Sequence, residues 1–214
     1  MTPSVVFVLI ATNMKTTRPY AQTERRAATE RTRTAILDAG LDLSREKLSV
    51  EIVLSDVAER AGVTVQTVLR HFGTREGLFA ALHEYGTARV THERLAPVGD
   101  VVTGIRVLVD HYETSGDMSL SFLAQERTDE RVRAITTAGK ALHREWVTTV
   151  LGSLVDNDTA AIDELVVVTD VYAWKLLRRD RALSRDDTEQ RMLSLTRAVI
   201  EHHRPSPTST PTRA

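Results

Sequence analysis

Gly62 and Gly73 frame the stretch that most limits how this chain can fold, VAERAGVTVQTVLRHFGTREGLF over residues 57–79. Glycine lacks a Cβ and readily ends a helix in the left-handed conformation that other residues resist. Two such stops predict a short helix over about 54–61, another over about 65–72, and a third beginning after Gly73. Val57, Ala61, Val63, Val68 and Phe72 fall where the first two would face each other. Ala58 takes the crossing point, where a larger side chain would force them apart. Thr74 is placed to cap the third helix, its hydroxyl accepting from an N–H near Glu76 or Gly77, and Leu78, Phe79 and Leu82 should turn inward.

The rest of the chain repeats apolar residues at helical spacing and shows no period-two alternation bounded by turns. A helix over about 27–45 carries Ile36, Ala39, Gly40 and Leu43 on one face. LAPVGD (95–100) breaks the pattern and is the best domain boundary. Val101, Ile105, Leu108 and Tyr112 then form a buried row, and SGD (115–117) is expected to interrupt it before a segment holding Met118, Phe122 and Leu123. From about 129 a long helix presents Val132, Ile135, Gly139, Leu142, Trp146 and Thr149, until VDND (155–158) ends it.

Residues 160–179 read as one helix with two apolar faces: Ile162, Leu165, Val166, Thr169, Ala173 and Leu176 on one, Val167, Val171 and Trp174 on the other. The last helix, about 185–203, repeats this with Met192, Leu195 and Val199. Two faces imply contact on two sides, and the symmetric solution is a homodimer in which both helices meet their copies as a four-helix bundle. The expectation is an all-α fold: an N-terminal three-helix head with a helix-turn-helix, and a C-terminal helical bundle forming a ligand core and the dimer interface. The divisions expected are a disordered arm over 1–22, a head with its linking helix over 23–90, the bundle over 91–203, and a disordered tail over 204–214.

Composition narrows the chemistry. The 214 residues include no cysteine, which excludes disulfides and cysteine-ligated metal and fits a reducing, cytoplasmic setting. The net charge is −1, with 12 Lys and Arg against 10 Asp and Glu in residues 15–90, and 16 against 19 in residues 91–214. Nucleic-acid binding would therefore rest on a local patch. VVFVLIA (5–11) is too short to span a bilayer, and no basic residue precedes it as in a signal peptide; Met14 reads as the alternative start. His202 and His203 beside Glu201 point apart on a frayed helix end, and His143 with Glu145 has no third partner, so no metal site is expected. No nucleophile elbow, phosphate loop or zincin pattern is present, so neither catalysis nor a cofactor is expected.

With its apolar residues facing back, the helix after Gly62 leaves Thr64, Gln66, Thr67, Arg70 and His71 outward. A DNA major groove admits one helix; there Gln can pair with adenine, Arg with guanine, and Thr can offer hydroxyl or methyl. Arg75, at the start of the next helix, is placed for a phosphate, and Arg25, Arg26, Arg31 and Arg33 can add others.

The blocks VAERAGV, TVLRHF and TREGLF, in this order and spacing, make residues 27–82 resemble the DNA-binding domain of the tetracycline-repressor (TetR) family of transcriptional regulators. The remainder resembles that family's C-terminal domain through its helix count and DVYAWKLLRRDRALSRDD (170–187). The resemblance implies an all-helical homodimer that binds a palindromic operator, represses, and lets go when a small-molecule effector fills the core. Leu69 stands where the family usually has a tyrosine that touches phosphate, and Arg75 where it often has lysine. Tyr112, Met118, Phe122, Trp146 and Trp174 are the candidate ligand-binding residues, with His111 and His143 able to orient a polar group. The competing expectation is a helical protein-interaction adapter whose helix-turn-helix no longer binds DNA.

Overall fold

The computed structural model describes residues 17–47 and 51–204, with side chains from residue 22. The expectations for residues 1–16 and 205–214, including Met14 as a start, lie outside the described residues. Among the described residues every regular element is helical.

Helix α1 (Thr17–Glu46) precedes α2 (Leu54–Arg60), α3 (Val65–Phe72) and α4 (Arg75–Glu93). α1 begins inside the segment expected to be a disordered arm. The two stops fall where the glycines require: Gly62 has φ 66° and Gly73 φ 76°. Thr74 caps α4, its hydroxyl accepting from the Gly77 N–H at 3.0 Å. Ile36, Leu43, Ile52, Val57, Val68 and Leu78 form a sealed centre, with Ala58 buried at the α2–α3 crossing. Phe72 and Phe79, expected inward, are only half-buried.

The bundle consists of α5 (Val101–Gln125), α6 (Glu130–Leu151), a 3₁₀ turn (Gly152–Val155), α7 (Thr159–Thr169), α8 (Val171–Lys175) and α9 (Arg185–His203). α8 continues into a π-helical turn over Leu176–Asp180. Two apolar clusters fill it, one around Ile105, Leu108, Trp174 and Met192, the other around Val147, Leu151, Leu165 and Ile200.

Three expectations need correction. SGD (115–117) does not interrupt α5, because Gly116 serves close packing. A Cβ there would lie 2.6 Å from the Trp174 ring, and Trp174 is fully buried against it. Residues 160–179 are not one helix. Asp170 leaves the helix at φ −69° and ψ 157°, and its carboxylate accepts from the Tyr172 N–H, so it caps a new helix. The two expected faces therefore do not run through: Trp174 and Val171 enter the core, while Leu176 and Val167 stay exposed. In α6 the buried row is Val132, Thr136, His143, Val147 and Val150, offset from the one expected. Ile135, Gly139 and Leu142 instead line a cavity.

A ladder of ion pairs explains the stretch DVYAWKLLRRDRALSRDD. α5 presents Asp110, Glu113 and Asp117 at helical spacing, met respectively by Arg185, Arg178 and Arg179. The Arg178 Nε donates to Glu113 at 3.0 Å, and the Trp174 indole N–H donates to the same carboxylate at 3.0 Å. Arg179 lies over the Trp174 ring at 4.6 Å. This segment is thus a clamp that closes the end of the bundle over α5.

Candidate nucleic-acid interface and the cavity beside it

The surface of α3 follows from its anchors. Val68 is fully buried and Phe72 half-buried, which leaves Thr64, Gln66 and Arg70 exposed and Thr67, Leu69 and His71 half-exposed. Thr64 is the N-cap. Its Oγ1 accepts from the Thr67 N–H at 3.2 Å and shares a 3.0 Å hydrogen bond with the Thr67 hydroxyl. The two hydroxyls at the leading end of α3 are therefore held in one geometry. Arg33 of α1 lies over the Phe72 ring at 5.0 Å, bringing a cation to the trailing end of α3. Two cations near α2 are neutralised: Arg60 makes a two-pronged pair with Glu46, and Lys47 pairs with Asp56.

Arg75 stands at the first residue of α4. Its guanidinium donates to the Ile52 carbonyl at 3.1 Å and lies 4.6 Å from the centre of the Phe79 ring, on the side of α4 that borders the cavity. It ties the loop before α2 to α4. The backbone pattern that creates this contact spans residues 52–75, so nothing local in the sequence announced it.

The cavity holds about 730 Å³, within the range of small-molecule sites. α1 and α4 of the head supply one wall, α5 and α6 the other, and the α7–α8 junction closes the end. Tyr112, Met118 and Phe122 line it. Trp146 and Trp174 do not. Trp174 is sealed behind Gly116, and Trp146 is turned away so that its indole N–H donates to the Arg94 carbonyl at 2.7 Å.

The polar floor of the cavity was only partly foreseen. Arg94, the C-cap residue of α4, is buried to 5% exposure, and sequence reasoning missed it because a charged residue at a helix end ordinarily faces water. Its Nη2 donates to His143 Nδ1 at 2.6 Å, and its plane lies 5.0 Å over the Trp146 ring. Burial, and then the nearby Arg94 charge, pushes the His143 imidazole down to about 3, so it is neutral at pH 7. With Nδ1 accepting, the proton sits on Nε2, which lies 3.2 Å from the Thr169 hydroxyl. That hydroxyl gives its own hydrogen to the Leu165 carbonyl at 2.6 Å and so accepts from the histidine. Burial also lowers His111, with Arg94 adding to it against the opposing Glu93, and burial raises Asp170. The Tyr112 hydroxyl donates to the Thr169 carbonyl at 3.0 Å, and burial holds its proton on.

From this floor a chain of polar contacts runs into the head. His111 Nδ1 meets Glu93 at 3.0 Å, Arg89 donates to Glu93 at 2.7 Å, and Arg89 lies 3.8 Å from Asp38 of α1. Tyr85 donates to the same Asp38 at 2.8 Å. No cluster of side chains among the described residues could hold a metal ion. No helix among them is long and apolar enough to cross a membrane.

A helix-turn-helix head with a polar second helix is thus joined by one helix to a hollow bundle. Residues 36–82 match the family described as bacterial regulatory proteins, tetR family. The match takes in the end of α1, all of α2 and α3, and the first part of α4. Among solved structures it resembles a putative TetR-family transcriptional regulator from Rhodococcus sp., at 19% identity and a TM-score of 0.60, covering 79% of this chain and 99% of that one. A transcriptional regulator from Rhodococcus sp. Rha1 gives a TM-score of 0.60 at 16% identity, covering 84% and 99%. A TetR transcriptional regulator from Rhodococcus sp. RHA1 gives 0.51 at 17%, covering 80% and 97%. At these identities the likeness is one of fold. No curated protein matches the chain.

Proposed function

We propose that this regulator is a homodimeric repressor that binds a palindromic operator through α3 and releases it when a small-molecule effector occupies the cavity. One observation carries the reading. The exposed face of α3 is polar and groove-sized, and α4 joins that head directly to the cavity wall. Gln66 and Arg70 are the base readers, Thr64 and Thr67 are fixed to approach the phosphates or a thymine methyl, and His71 flanks them. Arg75, which ties the loop before α2 to the start of α4, adds a phosphate contact beside α3.

The second copy is assigned to the α7–α9 face. Val167 is 69% and Leu195 45% exposed there, and His203 pairs with Glu164 to bind the two helices together. Two heads would then enter successive major grooves roughly 34–36 Å apart. The head over 23–90 and the bundle over 91–203 divide these roles.

The test is a titration of the full chain with duplex from upstream of its own gene across a range of salt. Tight binding that falls linearly on logarithmic axes is expected, since each phosphate contact releases counterions. Arg70→Ala should flatten sequence preference. No shift on any duplex at low salt would overturn the reading and leave the adapter in its place.

A further inference from the structure

Arg94 is a cation placed inside the protein without the anion that normally accompanies it. Its side chain lines the cavity, its Nε–H finds no acceptor among the described residues, and its one side-chain hydrogen bond goes to a neutral imidazole. An isolated buried charge is costly, so buried guanidinium groups ordinarily meet a carboxylate. The nearest candidates are taken or turned elsewhere. Glu93 faces His111 and Arg89, and Asp170 caps α8. The cavity wall carries the apolar side chains Leu82, Val90, Met118, Phe122, Ile135 and Leu142, with charged ones, Arg75, Arg131, Lys140 and Asp170 among them, also on its lining.

We infer that the cavity takes a carboxylic acid with an apolar body, its carboxylate meeting the Arg94 guanidinium and the body lying along α5 and α6. The inference rests on the reading of this cavity as the effector site and names the chemistry of what enters it. A monoanion fits better than a phosphate. At the floor Arg94 meets a neutral His143, and the Asp170 carboxylate also lines the cavity, where it would oppose a second negative charge. A planar carboxylate also suits the planar set of donors that a guanidinium carries. Arg94 is the residue through which α4 ends, so the acid would bond to the helix that carries the head.

Calorimetric titration of the full chain with two matched pairs tests this: octanoate against octanamide, and 2-naphthoate against 2-naphthamide. In at least one pair the acid should bind about 10- to 100-fold more tightly than the amide, the worth of hydrogen bonds to a buried charge. The pair that shows it distinguishes a straight-chain body from an aromatic one. Arg94→Lys should keep part of the preference and Arg94→Gln should abolish it. Equal affinity of acid and amide in both pairs, or no binding of either acid, overturns the inference. Operator binding by the ligand-free chain, measured alongside, separates the two failures. If DNA is still bound, only the acid is wrong; if it is not, the regulator reading falls on its own evidence.

Discussion

The arginines of the outer clamp and the arginine of the cavity floor are treated in opposite ways by the same bundle. Arg178, Arg179 and Arg185 each reach a carboxylate on α5 and remain partly in water. Arg94 is buried more deeply than any of them, yet it contacts a neutral histidine and an indole. The clamp arginines complete their interactions within the fold and hold it closed. Arg94 leaves an interaction open at the bottom of a hollow. A charge satisfied at the surface is architecture, whereas a charge unsatisfied in a cavity is an invitation to a ligand.

The sharpest way to break this comparison is to remove what the clamp encloses. Trp174→Ala should destabilise the chain by about 3–5 kcal/mol, the cost of deleting a large buried aromatic, read as a lower midpoint in chemical denaturation. A loss under about 1 kcal/mol would mean the clamp closes over nothing. The floor has its own signature in pH. Folded His143 stays neutral down to about 3, while in the unfolded chain it takes up a proton near its ordinary 6.5. Its stabilising contribution is complete above that ordinary value and is lost as pH falls from there toward 3. The loss amounts to at most about 1.4 kcal/mol per pH unit. Denaturation midpoints at pH 7, 6 and 5 should fall accordingly, and His143→Gln should flatten the trend; an unchanged slope in that variant would show the imidazole titrates freely.

Smaller effects discriminate between the two sets of arginines directly. Arg178→Met removes the partner of Glu113 and a donor to the Leu183 carbonyl, and should cost about 1 kcal/mol in thermal or chemical unfolding. Arg94→Met keeps the apolar stem and removes a buried unpaired charge, so the ligand-free chain should change by well under about 1 kcal/mol, and in either direction. If Arg94→Met unfolds the protein while Arg178→Met is silent, the assignment of the two roles is reversed.

What the sequence showed and what it hid divide along the same line. The ends of α2 and α3 were legible because Gly62 and Gly73 set them locally, and Thr74 signalled the start of α4 within three residues. The outward set on α3 followed from the same periodicity. Gly116 misled because its reason lies across the bundle, in a tryptophan far along the chain. The break at Asp170 carried no glycine or proline, only an aspartate before an apolar run, a capping signal easily absorbed into a long helix. Arg94 and Arg75 were hidden for one reason: each is a cation at a helix end that meets partners distant in the chain, Trp146 and His143 for the first and Ile52 for the second. Met118 and Phe122 were found as cavity residues because apolar spacing marks a wall as readily as a core.

α4 has 19 residues and is therefore roughly 28 Å long. Arg94 caps one end and Arg75, tied to the loop before α2, starts the other. A swing of about 5° pivoting at Arg94 carries the far end through roughly 2.5 Å, close to the length of a hydrogen bond. Leverage of that kind makes a sub-ångström adjustment at the hollow large enough, at the far end, to make or break a contact.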